Sequence, residues 1–564
     1  MLAQASPIGH LSKVAPIQLW RIAVLTDDTQ KNALVVSTGN TIRKTSPGDN
    51  RLIQRMVADA SASAFDMEHT TRPVLRRVGR WEFHEEDYQQ LVIWAEHLGG
   101  DLEGLVQHIS HSFDGQSKKG LLKHPQIKSY LFIPSWVLNG RIIYADLSGQ
   151  EREVLNLAGV PELRFLNCND NRISSLDFSH ASRLAVCMCE KNNLFDLNLS
   201  HTPEMRALWC GNNQLTELDL SNTPNLTGLF CNGNQLTELD LSHTTNLTEL
   251  HCHSNRLTEL DVSHTPQLTE LRCDDNQLTR LNLSHTPRLS LLSCGRNQLT
   301  ELALCHILDL AYLWCGDNQL IALDLSRTPS LKKLHCHYNQ LTDLDLAHTP
   351  HLTDLWCNNN RMANLDLSHT AYLTKLFCNN NLLTDLDLSR VPNLTLLSCA
   401  GNQLTDLDLS HSPYLRNLDY SWNRIPNLEL SHVRQLRALW CSGNQITYLD
   451  LSCIRQLQVL CCSNNQLTNL DLSNTPNLAD LWCHGNLLVN LDLSHTPRLE
   501  NLQCHDNQLT QLDLSHAPQL TKLWCQRNRL THLDLRQCKD LSKVLIDLNV
   551  ELRCLPRQNI HRVR

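Results

Sequence analysis

Cysteine is the residue whose number first suggests chemistry here, since 23 thiols in 564 residues are material for disulfides, metal ligation or nucleophilic attack. Their spacing answers the question. Cys168, Cys189, Cys210, Cys231, Cys252, Cys273, Cys294, Cys315, Cys336, Cys357, Cys378, Cys399, Cys441, Cys462, Cys483, Cys504 and Cys525 lie on one 21-residue lattice that only Tyr420 interrupts. Three residues after each lattice position stands an asparagine, from Asn171 to Asn528, through all 18 registers. A pairing repeated at one period is architecture rather than a single site. Parallel in-register Cβ vectors suit disulfides poorly, and no C-x-x-C pair points to zinc. The lattice thiols are therefore expected to be reduced, buried small hydrophobes. Six cysteines lie off the lattice: Cys187, Cys305, Cys453, Cys461, Cys538 and Cys554. Of these, Cys461 falls on position 5 and is expected to be exposed, which makes it the candidate reactive thiol, with simple sequence drift the favoured reading of its presence.

The elements that carry this lattice follow from one unit. Residues 226–246 open with Leu226, Leu229, Cys231, Asn234 and Leu236, and continue with Leu239, Asp240, Leu241, Ser242 and His243. In Leu229-Phe230-Cys231 the side chains alternate, so positions 4 and 6 point inward and positions 3, 5 and 7 face solvent on a parallel sheet. Strands about 4.8 Å apart make 18 registers a sheet roughly 85 Å long. Each asparagine is expected to bond the turn leaving its strand. Ten remaining residues are too few for a helix and two turns, so Leu-Asp-Leu is expected to form a second short strand opposite.

The pattern L-x-x-L-x-C-x-x-N-x-L resembles the consensus of leucine-rich repeats, with cysteine where leucine usually stands. Its second half, x-x-L-D-L-S-x-T-P-x, is similar to the 21-residue bacterial class called IRREKO and to the cysteine-ladder repeats of internalin J. The resemblance implies an α/β-type, mostly β solenoid with a parallel sheet on the concave face and short strands on the convex face. It covers 163–540. A degenerate opening repeat is expected over 141–162, with Ile142, Ala145 and Leu147 inside. A closing repeat and tail are expected over 541–564, with Ile546 in the cysteine place.

Position 5 carries the functional signal. Down the open face it includes Trp209, Phe230, His251, Arg272, Trp314, His335, Trp356, Phe377, Trp440, Trp482 and Trp524, so six of the 11 tryptophans stand in one column. Burial does not account for them on a sheet whose inner face is filled by Leu and Cys, and exposed aromatic stripes mark binding surfaces. Stacking between neighbouring strands is the structural alternative. Flanking positions mix charge, with Glu249, Glu270, Lys333, Asp354 and Lys375 at position 3 and His253, His337, His484 and His505 at position 7. These eleven residues are the expected partner-binding set, and the expected partner is a protein or peptide; a glycan stacked on Trp is the weaker reading.

On the other wall, position 15 is Asp in 14 of 18 units and position 18 is His in 12. Carboxylate and imidazole are both metal ligands. The repetition fits Asx and Ser/Thr turn caps with His in solvent, and neither a metal nor a cofactor is expected. The repeat at 415–430 departs from the rest through Asp419, Tyr420, Trp422 and Pro426. It reads as local repacking, or as a bend or specificity point.

Residues 1–140 hold no repeat and read as a small α+β domain of no recognised family, a cap in one reading. Apolar runs flanking Asp27 and Asp28 suit a hairpin over 17–36, and a soft segment follows over 37–50. Helical pattern over 85–111 breaks near Gly99 and Gly100. His84, Glu85, Glu86, Asp87 and Tyr88 read as a charged helix start. These 140 residues carry 15 Lys and Arg against 14 Asp and Glu, net +1, so −10 of the chain's −9 lies in the rest. That charge gives no basic field for nucleic acid, and no apolar run is long enough for a membrane span. Without a Sec-type start, the chain is expected to be cytoplasmic or exported without a Sec signal. No phosphate loop, nucleophile elbow or H-E-x-x-H helix appears. The expected function is non-enzymatic recognition, with residues 1–140 the part left open to activity. The alternatives are an effector whose N-terminal domain acts while the repeats select its target, and a glycan- or surface-binding adhesin.

Overall fold

The computed structural model describes residues 22–23, 35–38, 41–44, 75–96, 100–111, 137–138, 141–555 and 560–563. The chain divides into two compact units, Met1–Pro73 and Val74–Arg564. In the first, Ile22–Ala23 pairs antiparallel with Val35–Thr38, which pairs with Thr41–Lys44. The expected hairpin is there, and part of the segment read as soft is a strand. The second unit places residues 75–111 with the repeats rather than with a separate domain ending at 140.

That unit opens with a hairpin, Leu75–Val78 against Trp81–His84, whose turn uses Gly79 at φ +58°. Helix α1, Glu85–Glu96, follows with Glu85, Glu86 and Asp87 in its first turn, where the helix dipole favours negative charge. Helix α2, Leu102–His111, starts where the Asp101 carboxylate accepts the Gly104 amide at 2.8 Å. The break between them includes Gly100 at φ +86°. Phe83, Leu91, Trp94, Leu105 and Ile109 from this layer share one core with Ile142, Tyr144 and the repeats.

From Tyr144–Asp146 onward the chain forms a parallel ladder that advances 21 residues per strand, through Phe165–Asn167 and Gly228–Phe230 to Lys522–Trp524. Lys543–Asp547 and Ile560–Val563 extend it. The reason is the alternation read from sequence: in the unit at 226–246, Leu226, Leu229, Cys231, Leu236, Leu239, Leu241 and Thr244 are all buried. Each asparagine ties two turns together. Asn234 Nδ2 donates to the carbonyls of Cys210 and Cys231, both at 3.0 Å, and its Oδ1 accepts the Leu215 amide at 3.0 Å. Tyr420 is buried in the cysteine place, and Asn423 keeps the full set of bonds there. At the far end Ile546 is buried in the cysteine place as expected, with Val544 beside it, and Asp547 receives the amides of Arg527 and Asn528.

On the convex wall, strand pairing joins His532–Asp534 to Glu551–Arg553, and a single bridge joins Leu155 to Leu176. Elsewhere the chain leaves Leu-Asp-Leu by folding back on itself. The Thr244 amide and hydroxyl both donate to the Leu241 carbonyl at 3.0 Å, and the Leu247 amide donates to Thr244.

The turn after each lattice strand requires a left-handed residue at position 8. Eighteen of these, from Asp170 to Arg527, have φ between +49° and +68°. Trp422 is held so at φ +56°, and its ring lies against Gly443 in the next turn, where a Cβ would meet the indole at 2.4 Å. Glycine there serves both the conformation and the close approach.

Candidate functional site

The strand register brings all the expected position-5 residues into one column: Trp209 opposite Phe230, Phe230 opposite His251, His335 opposite Trp356, Asp419 opposite Trp440. The column is less open than simple alternation suggests. Trp209 and Phe230 are buried, at 6% and 5% exposure, and their rings stack at 4.6 Å. His251, Arg272, Trp314, His335, Trp356, Phe377, Trp440, Trp482 and Trp524 are half-buried. The cause is the rung spacing, about 4.8 Å, which lies close to the centroid separation of offset-stacked rings, so each large side chain covers its neighbour.

Three groups result. Phe230 meets His251 edge-on at 4.6 Å, and Glu270 Oε1 lies 2.9 Å from His251 Nε2 while accepting Arg272 Nε at 2.7 Å. The bond to His251 holds Glu270 below the usual carboxylate range. In the middle, His335 stacks on Trp356 at 4.5 Å and Trp356 contacts Phe377 at 4.7 Å. Trp356 Nε1 donates to Asp354 Oδ1 at 2.8 Å. Toward the end, His484 and His505 stack at 4.3 Å, and the Lys543 ammonium lies 5.1 Å from the Trp524 ring. Sequence reading did not assign Glu270 and Asp354 as organisers of the rings. The signal was present, because residues two apart on a strand share a face.

Burial pushes the His335 imidazole down to about 4, and it pushes His253, His337 and His484 down as well. These side chains are therefore neutral near pH 7. The indole N–H groups of Trp314, Trp482 and Trp524 are buried with no protein acceptor among the described residues.

All 23 cysteines are free thiols. The lattice thiols are buried, and burial pushes Cys231, Cys315 and Cys525 up to about 12. Cys461 is half-buried, with its Sγ 3.0 Å from Ser442 Oγ; the exposed thiols are Cys305 and Cys554. Expecting Cys461 to be the open thiol overlooked packing by its serine neighbours.

On the convex wall Asp240 Oδ1 accepts the Ser242 amide at 2.8 Å, which lowers the carboxyl below its usual range. His243, His264, His348 and His369 are exposed. The Asx-turn reading describes this wall. Among the described residues, no group of three or more His, Cys, Asp or Glu is placed to hold a metal ion, and no helix is long and apolar enough to cross a membrane.

The charged start of α1 is engaged in docking. Asp87 is fully buried, pairs with Arg141 at 2.9 Å and accepts the Ile142 amide at 2.9 Å. Gln90 and Trp94 donate to the Asn156 carbonyl at 3.0 and 2.7 Å. Buried Arg152 donates to the Trp94 carbonyl at 2.9 Å.

A parallel ladder with a leucine wall, an asparagine spine and a short return wall is a leucine-rich repeat solenoid. The profile described as "Leucine Rich repeats (2 copies)" matches residues 329–369. The functional domain of InlJ from Listeria monocytogenes, whose structure includes a cysteine ladder, is 33% identical over 61% of this chain and 74% of that one, with a TM-score of 0.56. YopM from Yersinia enterocolitica is 26% identical over 84% of this chain and 99% of its own, with a TM-score of 0.67. A leucine-rich repeat protein of Leptospira interrogans shares the fold at 23% identity, with a TM-score of 0.52 over 67% of this chain and 94% of that one. No curated protein matches. The chain belongs to the leucine-rich repeat family.

Proposed function

We propose that this protein is a non-enzymatic recognition protein that holds a protein or peptide partner against the concave face, across the position-5 column. The observation that carries this reading is the placement of the rings. Leu and Cys fill the inner face of the same strands at positions 4 and 6, so the core does not need Trp314, Trp356, Trp440, Trp482 or Trp524. Solenoids of this kind offer extended concave surfaces to partners, and half-desolvated Trp rings are the anchors that dominate interface energies. The mixed charge of Lys333, Asp354 and Lys375 beside the rings suits a peptide surface better than a sugar. The polar residues at the start of α1 pair with Arg141 and the first repeat, which favours a docking role for this stretch over catalysis.

The test is selection of a phage-displayed peptide library on the full chain. Selected peptides should lose at least about tenfold in affinity for Trp482→Ala/Trp524→Ala and retain affinity for the convex control His243→Ala/His264→Ala. The opposite pattern overturns the reading.

A further inference from the structure

The position-5 column is interrupted by small side chains, and two of these gaps, one at Ser293 and one at Ser398 and Asp419, differ. In the first, Ser293 separates Arg272 from Trp314. The chain fills this gap itself: the Arg272 guanidinium lies 5.9 Å from the Trp314 ring centroid while pairing with Glu270 at 2.7 Å. In the second, Ser398 and Asp419 separate Phe377 from Trp440. Here a recess of about 230 Å³ opens, walled by Phe377 and Trp440 and lined by Leu396, Ser398, Asn417 and Asp419.

This second gap has the carboxylate and the ring but no cation. Asp419 Oδ1 accepts the Ser421 amide at 3.1 Å and Oδ2 faces the Ser398 hydroxyl at 3.4 Å. No Lys, Arg or His pairs with it among the described residues, and Asn417, Ala438, Ser421 and Ser442 around it are neutral. No ring covers Trp440 from either adjacent strand, because its register partners are Asp419 and Cys461. Asp419 and Trp440 stand one rung apart, about 4.8 Å, and the same sheet stacks its rings at 4.5 and 4.6 Å. A flat cation resting on the Asp419 carboxylate therefore lies at stacking distance from the indole.

We infer that this recess is a pocket for one arginine side chain of a partner protein. Guanidinium is planar, forks onto a carboxylate with two donors and stacks on indole, which an ammonium cannot do in the same way. The recess has room for one long side chain, with the stem against Leu396 and Phe377. Arg272 beside Trp314 is the arrangement this chain already builds with its own residue. The assignment rests on the reading of the concave face as the binding surface, and makes Asp419 and Trp440 its selectivity-determining pair.

The test uses the full chain labelled with 5-fluorotryptophan, with the Trp440 fluorine resonance assigned by its loss in Trp440→Phe. Acetyl-arginine N-methylamide is titrated beside its neutral isostere, acetyl-citrulline N-methylamide, and beside acetyl-tyrosine N-methylamide. Arginine should shift the Trp440 resonance with an affinity at least about tenfold above citrulline, the scale of one charge-assisted bond. Asp419→Asn, nearly isosteric and half-exposed, should reduce arginine to the citrulline level with an unchanged circular dichroism spectrum. Equal responses to arginine and citrulline, no response to any probe, tighter tyrosine binding, or an arginine response that survives Asp419→Asn each overturn the pocket. Should the pocket fail while Trp482→Ala/Trp524→Ala still loses its selected peptides, the face remains the binding surface. Arginine binding with peptides indifferent to that double variant is the reverse case.

Discussion

The Leu236 amide donates to Oδ1 of Asn255, one turn further along the solenoid, at 3.0 Å. The same asparagine's Nδ2 reaches back to the carbonyl of Cys231 at 3.1 Å and to that of Cys252 at 3.0 Å. One buried amide thus satisfies three backbone groups on two turns. Asn255→Ala leaves the buried Leu236 amide unpaired and removes one of two donors from each carbonyl, since Asn234 still reaches Cys231 and Asn276 still reaches Cys252; the expected loss is about 1–3 kcal/mol, read as a lower urea midpoint. Asn528, less buried at the end of the spine, should cost less when replaced by Ala. Equal losses at both positions would contradict the shared-rung account.

Trp356 and Trp440 occupy the same position in different repeats and should behave differently. Trp356 is stacked on His335, touches Phe377 and donates to Asp354, so Trp356→Ala should lower stability by about 1–3 kcal/mol. Trp440 has no ring beside it, and Trp440→Ala should change the melting temperature little. Differential scanning calorimetry separates the two outcomes; matching losses would show that Trp440 is also packed.

Thiol reactivity should divide by burial. In native protein a thiol reagent should label Cys305 and Cys554 first and Cys453 and Cys461 more slowly, leaving the lattice cysteines until denaturant is added. Burial keeps the lattice thiols protonated, and the thiolate is the nucleophile. Rapid native labelling of Cys252 or Cys273, mapped by mass spectrometry, would contradict a closed core.

Acid should weaken the concave face before it titrates the carboxylates. His335 sits at about 4 in the folded state against 6.5 ordinarily, so the unfolded chain binds the proton more readily. Its contribution is fully present above about 6.5 and is lost as pH falls towards about 4. The melting temperature should drop across that window, and the drop should shrink in His335→Gln. An unchanged drop would place the sensitivity elsewhere.

Repeat arrays respond locally, because each turn contacts mainly its neighbours. Asp87→Ala removes the buried acceptor that holds Ile142 and Arg141. Hydrogen exchange should accelerate in residues 75–111 and in the first repeats, while amides around Cys336 keep their protection. Uniform acceleration along the array would contradict this.

Much of the fold was legible because each repeat reports its own environment. A leucine at position 4 and a cysteine at position 6 face inward in every turn by strand alternation alone, and an asparagine at position 9 bonds groups at fixed offsets of 19 and 24 residues. The lattice, the buried thiols, the asparagine spine, the Asx turns and the helix break at Gly100 could all be read from residue type and period. Even the replacement of Cys168-like positions by Tyr420 and Ile546 followed the pattern.

The state of the open face was not legible in that way. Whether Trp209 is buried depends on Phe230 across the rung, and whether Trp440 is open depends on Asp419 being small and charged. Those are contacts between strands about 4.8 Å apart, decided by the sizes of neighbours 21 residues away, and alternation assigns only the side of the sheet. The same holds for Asp87, which as sequence is one acid in a helix start, and becomes a buried anchor only because the fold brings Arg141 and the Ile142 amide to it. Period determined which residues face outward; packing across the rungs decided which of them remain available.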